Sequence, residues 1–165
     1  MPKPARKPAK LSSAARGACS CGAVHIEIAV PVFWAWHDHG RATQRAQGCA
    51  YATYIGCWKS KLRIVKGAKS ITTYDDPKTG AIRSFCARCG TPLLYERAGR
   101  GKMINVPRAL FDMRTGREPI YHLNFAESAE WEYRCEALKP LKGYPGVLWT
   151  GQKRKKPSPD EMFPV

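Results

Sequence analysis

The sequence has no apolar run approaching the ~18 residues that a bilayer-spanning helix requires, no internal repeat, and little helical periodicity. The first excludes a helical membrane anchor, the second a solenoid or propeller, and the third a helical bundle. Acids are also scarce, with 13 Asp and Glu against 28 Lys and Arg, for a formal charge of +15. The opening stretch MPKPARKPAKLSSAARG is basic and proline-containing but lacks the apolar segment of a secretory signal, so a cytoplasmic protein without a membrane role is expected. In a reducing compartment the seven cysteines are expected to be thiols or metal ligands rather than disulfides.

Much of the charge is terminal. Residues 1–16 carry five cations and no acid, and residues 151–165 carry four cations and two acids, which leaves a body of about +8. Such a field favours anionic ligands and permits nucleic-acid binding, although no recognition motif accompanies it. One domain is expected over residues 17–149, between basic flexible tails at 1–16 and 150–165.

Within that domain Val24, Ile26, Ile28 and Val30 alternate with His25, Glu27 and Ala29, the period of a strand with one buried face. Further short runs rich in β-branched or aromatic residues lie at 51–58, 62–66, 71–74, 81–85, 92–96 and 103–106. The segment Asp75-Asp76-Pro77-Lys78-Thr79-Gly80 is a turn that makes 71–74 and 81–85 a hairpin. Helix is expected only around 39–47, with a turn at 108–112. The fold class is therefore mainly β.

Two cysteine pairs stand out. Cys86-Ala87-Arg88-Cys89-Gly90 has the form of a zinc knuckle, in which two intervening residues present both sulfurs to one metal and the glycine supplies a positive φ. Cys19-Ser20-Cys21-Gly22 is a tighter pair, also followed by glycine. Together they offer the four thiolates of a closed structural zinc site, which would tie two distant segments together.

The same residues carry a resemblance. Residues 17–24, with Cys19 and Cys21, and residues 85–93, with Cys86 and Cys89, are similar to the glutathione-dependent formaldehyde-activating enzyme family, which includes the centromere protein V-like proteins. The likeness continues through Pro119-Ile120-Tyr121-His122 and Trp131. It implies an Mss4-like fold, a small twisted β-sheet structure stapled by zinc on Cys19, Cys21, Cys86 and Cys89. It also implies carbon–sulfur lyase chemistry, the joining of formaldehyde and glutathione to S-hydroxymethylglutathione.

Family members hold a second, catalytic zinc with three thiolates of a Cys-His-Cys-x-x-Cys motif. Here the matching segment is 38–43, placed by Gly48-Cys49-Ala50-Tyr51-Ala52-Thr53 downstream, and it retains His39 while Asp38, Gly40 and Thr43 stand at the cysteine positions. One structural zinc is therefore expected and a second is not. His39 and Asp38 remain as the catalytic candidates. A rebuilt site would have to draw on His37, Asp38 and His39 with Cys49 or Cys57, which otherwise read as small apolar packing residues, as does Cys135 beside Trp131 and Tyr133. Arg41, Arg45, Arg88 and Arg108 are candidates to meet the carboxylates of glutathione or a related anionic thiol. Trp34 and Trp36 would pack nearby, and His122 would be hydrogen-bonded structure or an acid–base group. The alternative function is a catalytically inactive module on the same scaffold that binds a small molecule, a protein or nucleic acid.

Overall fold

The computed structural model of the chain describes residues 13–97, 99, 101–132 and 138–151. The parts of the expected tails at 1–12 and 152–165, and Cys135 with Tyr133, lie outside the described residues.

The alternating segment folds as its period requires. It forms β2 (His25–Ala29), and Val24, Ile26, Ile28 and Val30 all point into the core. On one side β2 pairs with β1 (Ala14–Ala18), and on the other with β5 (Leu62–Lys66), giving a three-stranded antiparallel sheet. Strand β1 starts three residues ahead of the expected domain boundary at 17. The run Ala14-Ala15-Arg16 has little β propensity of its own, but pairing with β2 buries Ala15, and Arg16 donates to Glu27 at 2.9 Å.

The remaining strands are β3 (Trp34–Asp38), β4 (Ala52–Trp58), β6 (Ile71–Asp76), β7 (Ala81–Cys86), β8 (Pro92–Arg97), β9 (Met103–Pro107), β10 (Tyr121–Leu123), β11 (Lys139–Pro140) and β12 (Leu148–Trp149). They form a second sheet in the order β11-β12-β10-β3-β4-β9-β8-β7-β6. The expected hairpin is β6–β7, in register from Ile71 opposite Cys86 to Asp76 opposite Ala81. Its turn is fixed by Asp76, whose carboxylate accepts from the Lys78 N–H at 2.9 Å and the Thr79 hydroxyl at 2.6 Å.

Strands β3 and β10 pair in parallel, His37 opposite His122 and Asp38 opposite Leu123. β3 is not among the expected strands, and of β10 only a strand-like run beginning at His122 shows in the sequence. β3 carries two tryptophans among polar residues, and β10 is three residues long, too short for a period to show. The one α-helix among the described residues, α1 (Arg41–Gln47), follows β3 and ends on Gly48 at φ 64°. No helix among the described residues is long and apolar enough to cross a membrane.

Both sheets contribute to one core, in which Ile26, Ile28, Val32, Ile55, Leu93, Ile104, Val106 and Phe111 pack together. The other face of the large sheet carries a second cluster around Trp36, Tyr54, Ala81 and Tyr95, with Trp34 and Tyr121 against it. The architecture is thus the mainly β, twisted-sheet fold that the sequence implied.

Candidate metal centre and the degenerate motif beside it

Cys19 and Cys21 lie on the turn that leaves β1, and Cys86 and Cys89 on the turn that leaves β7. The two turns share one construction. In the first, the Gly22 N–H donates to the Cys19 carbonyl at 2.9 Å with Gly22 at φ 67°; in the second, the Gly90 N–H donates to the Cys86 carbonyl at 2.8 Å with Gly90 at φ 71°. Thr91 joins them, accepting from the Ser20 N–H at 3.1 Å and donating to the Ser20 hydroxyl at 3.0 Å.

All four Sγ atoms lie within 4.8 Å of one another, with Cys19–Cys21 at 3.6 Å and Cys21–Cys86 at 3.9 Å. Tetrahedral zinc with bonds of about 2.3 Å places its sulfurs about 3.8 Å apart, so the donor set fits one such ion. Cys19 and Cys86 are buried while Cys21 and Cys89 are exposed.

The thiols are electrostatically unequal. The Thr91 hydroxyl and N–H pull Cys89 down to about 6. Cys19 is lowered as well: burial opposes this, but the Val24 N–H and the Cys21 and Cys86 thiols outweigh it. The Ala23 N–H favours the Cys21 thiolate, yet the Cys89, Cys19 and Cys86 sulfurs and burial together lift it to about 11. The neighbouring sulfurs thus disfavour a fourth thiolate on Cys21.

The segment resembling the second zinc motif begins at the end of β3 and runs into α1. Asp38 is buried at 3% exposure, and its carboxylate is fully engaged. Oδ1 accepts from the Gly40 N–H at 3.0 Å and the Asn124 amide at 2.8 Å, and Oδ2 accepts from the Thr43 hydroxyl at 2.8 Å. A Cβ on Gly40 would meet Asn124 Nδ2 at 3.1 Å and Asp38 Oδ1 at 3.2 Å. Asp38, Gly40 and Thr43 therefore do converge, but into a hydrogen-bonded knot in which Asn124 stands beside the place a Gly40 side chain would take. This arrangement does not fit a thiolate-held zinc.

His39 is turned away from that knot. Its ring is wholly buried, with Nδ1 at 3.1 Å from Glu132 Oε2 and Nε2 at 2.8 Å from His122 Nδ1. The His37 ring lies 4.7 Å from that of His122, and its Nδ1 is 2.9 Å from the Thr53 hydroxyl. Burial and the neighbouring His39 charge push His37 down to about 4. Three of the four histidines are thus gathered by the parallel β3–β10 pairing.

The mixed site of His37, Asp38 and His39 with Cys49 or Cys57 does not assemble. Cys57 faces the inter-sheet core, its thiol pushed up to about 11 by burial, and Cys49 donates to the Tyr51 carbonyl at 3.0 Å. Among the described residues the four clustered cysteines are the one group of three or more potential ligands close enough to share a metal.

Among the described residues, no contact of a guanidinium group brings the arginines singled out from sequence together with the motif. Arg41, Arg45 and Arg88 are exposed, and Arg108 turns onto the Phe111 carbonyl. Arg83 and Arg97 stand near the Asp38 knot instead, Arg83 donating to the Thr43 hydroxyl at 3.4 Å. The signal for them was the β7–β8 pairing, which puts Arg83 opposite Tyr95 and Arg97 opposite Ala81 on one face.

Comparison with known proteins agrees with this geometry. A crystal structure of a Rhodobacter sphaeroides protein is similar, with 28% sequence identity and a TM-score of 0.50 over 59% of this chain and 87% of that one. The profile of the glutathione-dependent formaldehyde-activating enzyme family matches residues 14–127, from the first residue of β1 to beyond β10. With the match spanning more than half its length and both cysteine pairs, the chain belongs to the glutathione-dependent formaldehyde-activating enzyme family.

Proposed function

We propose that this chain is a zinc-stapled member of the family that binds a glutathione-type anionic thiol and lacks the second, thiolate-held zinc. The observation that carries this reading is the knot of Asp38, Gly40, Thr43 and Asn124. Each oxygen of its one carboxylate is already engaged by donors of the chain itself, and no sulfur is present. Zinc on Cys19, Cys21, Cys86 and Cys89 would be closed on all four sides, so it would supply folding energy and no open position for a reacting oxygen or sulfur.

Two measurements test the proposal together. Elemental analysis of native protein should find close to one zinc per chain. Exchange spectroscopy on formaldehyde and glutathione should show no acceleration over buffer, while calorimetry shows glutathione binding. Two zinc ions per chain, or acceleration with no dependence on His39, would overturn it.

A second reading is favoured by the hydrogen-bonded series Glu132–His39–His122. A carboxylate that orients one imidazole and, through it, another is an arrangement suited to moving a proton. In that reading His39 and Asp38 support the formaldehyde–thiol reaction without a second metal. Acceleration that disappears in His39→Gln, with zinc unchanged, would establish it.

A further inference from the structure

The face of the large sheet turned away from the inter-sheet core carries a ladder of rings that the cysteine cluster does not explain. Ring centroids step from Trp34 to Trp36 at 4.7 Å, from Trp36 to Tyr54 at 5.7 Å and from Tyr54 to Tyr95 at 5.3 Å. The Arg83 guanidinium closes the series 4.6 Å above the Tyr95 ring. Strand register dictates the order, with Trp36 opposite Tyr54 across β3–β4 and Arg83 opposite Tyr95 across β7–β8. Arg97, two residues beyond Tyr95 on the same face, donates from Nε to the Tyr95 hydroxyl at 2.9 Å.

Neither guanidinium forms a salt bridge among the described residues. The Tyr95 contact and the field of Asp38 keep Arg97 charged, but both Asp38 oxygens are occupied elsewhere. Arg83 reaches the Tyr54 hydroxyl and Thr43 Oγ1 only at 3.4 Å each, the long limit of a hydrogen bond. Each guanidinium has five N–H donors in a fixed fork, and with Arg97 exposed and Arg83 half-buried the unmatched ones face solvent, where an anion can reach them. On the same face Trp34 Nε1 is buried without an acceptor. Donors are in surplus here, and the matching acceptors are not in the described protein.

We infer that Arg83 and Arg97, which meet at the buried Tyr95 ring, form a metal-free subsite at the edge of this face for the carboxylate of a small anionic ligand. A planar fork next to flat rings suits a carboxylate better than a lysine ammonium would, because two parallel N–H bonds fix both position and orientation. The inference rests on the proposed function for the thiol of the ligand and not for its carboxylate.

The test uses the full chain and two probes, glutathione and glutarate, which carries carboxylates and no thiol. Calorimetry should show both binding the native protein. Both should weaken about tenfold or more in Arg97→Gln and in Arg83→Gln, the scale of losing a charge-assisted hydrogen bond. Arg83→Lys, which keeps the charge and removes the fork, should fall between. Because Arg97 is exposed, its variant should melt like the native protein, and that variant decides the matter if Arg83→Gln fails to fold. Unchanged affinity for both probes in folded Arg97→Gln and Arg83→Lys overturns the subsite, and so does a native protein that binds neither probe. Glutarate binding that responds to both arginines, without any glutathione binding, keeps the subsite and removes the thiol from the proposed function.

Discussion

Stripping the metal from the cysteine cluster should cost the protein much of its thermal stability, and the structure sets the scale. The Cys21 and Cys86 sulfurs are 3.9 Å apart in space and 65 residues apart in sequence. A crosslink closing a loop of that length removes about 4 kcal/mol of chain entropy from the unfolded state. What remains without metal is the Ser20–Thr91 pair of hydrogen bonds, which is partly exposed and contributes about 1 kcal/mol per bond at most. For a domain of this size each kcal/mol moves the melting point by about 3 °C, so metal loss should lower it by roughly 10 °C. The assay is thermal unfolding followed by circular dichroism, on native protein and on protein treated with chelator and reductant, with zinc content measured on both. Cys89→Ser removes one exposed ligand and should reproduce most of the shift. A fully stripped protein that melts within about 2 °C of the native form would refute the crosslink argument.

Three further outcomes are expected. His37 is held neutral in the fold, at about 4 against an ordinary 6.5, so the unfolded chain takes up its proton first as pH falls. Stability is then complete above about 6.5 and declines towards 4, by about 2 kcal/mol once partial exposure is discounted; denaturant titrations at both ends should show a gap that narrows in His37→Gln. Gly67 sits at φ 75° with the Ala23 carbonyl directly against the position of an added Cβ, so Gly67→Ala should cost about 3 kcal/mol or more in the same titration. Restoring sulfur with Asp38→Cys, Gly40→Cys and Thr43→Cys, together with Asn124→Ala to clear the space beside residue 40, should raise the zinc content by one ion per chain; elemental analysis that still finds the native value would show that the scaffold no longer presents these positions to a metal.

Much of the fold could be read from the sequence where a local period or turn governed it. β2 announced itself through Val24, Ile26, Ile28 and Val30, and the β6–β7 hairpin through the chemistry of Asp76 and Thr79. The two cysteine pairs could be joined because each carries its own turn glycine, and the metal chemistry demands four donors. What could not be read is what depends on distant pairing. His39 meets His122 across 83 residues, and Asp38 meets Asn124 across 86, because β3 and β10 run side by side in parallel. No local pattern in either strand encodes that partner. For the same reason the exposed arginines near the motif drew notice, while Arg83 and Arg97, delivered by strand register, did not.

The knot of Asp38, Gly40, Thr43 and Asn124 has a consequence for the conditions under which this face can work. Thiolates that hold a metal can be oxidised by peroxide, alkylated by electrophiles or emptied by a competing chelator. Formaldehyde is itself an electrophile to which such sulfurs add. A carboxylate closed by an amide, a hydroxyl and a backbone N–H reacts with none of these. Chemical vulnerability therefore rests with the cysteine cluster, where Cys21 and Cys89 stand at the surface. Oxidant or metal starvation would act on the cysteine cluster first and leave the groups of the Asp38 knot chemically unmodified.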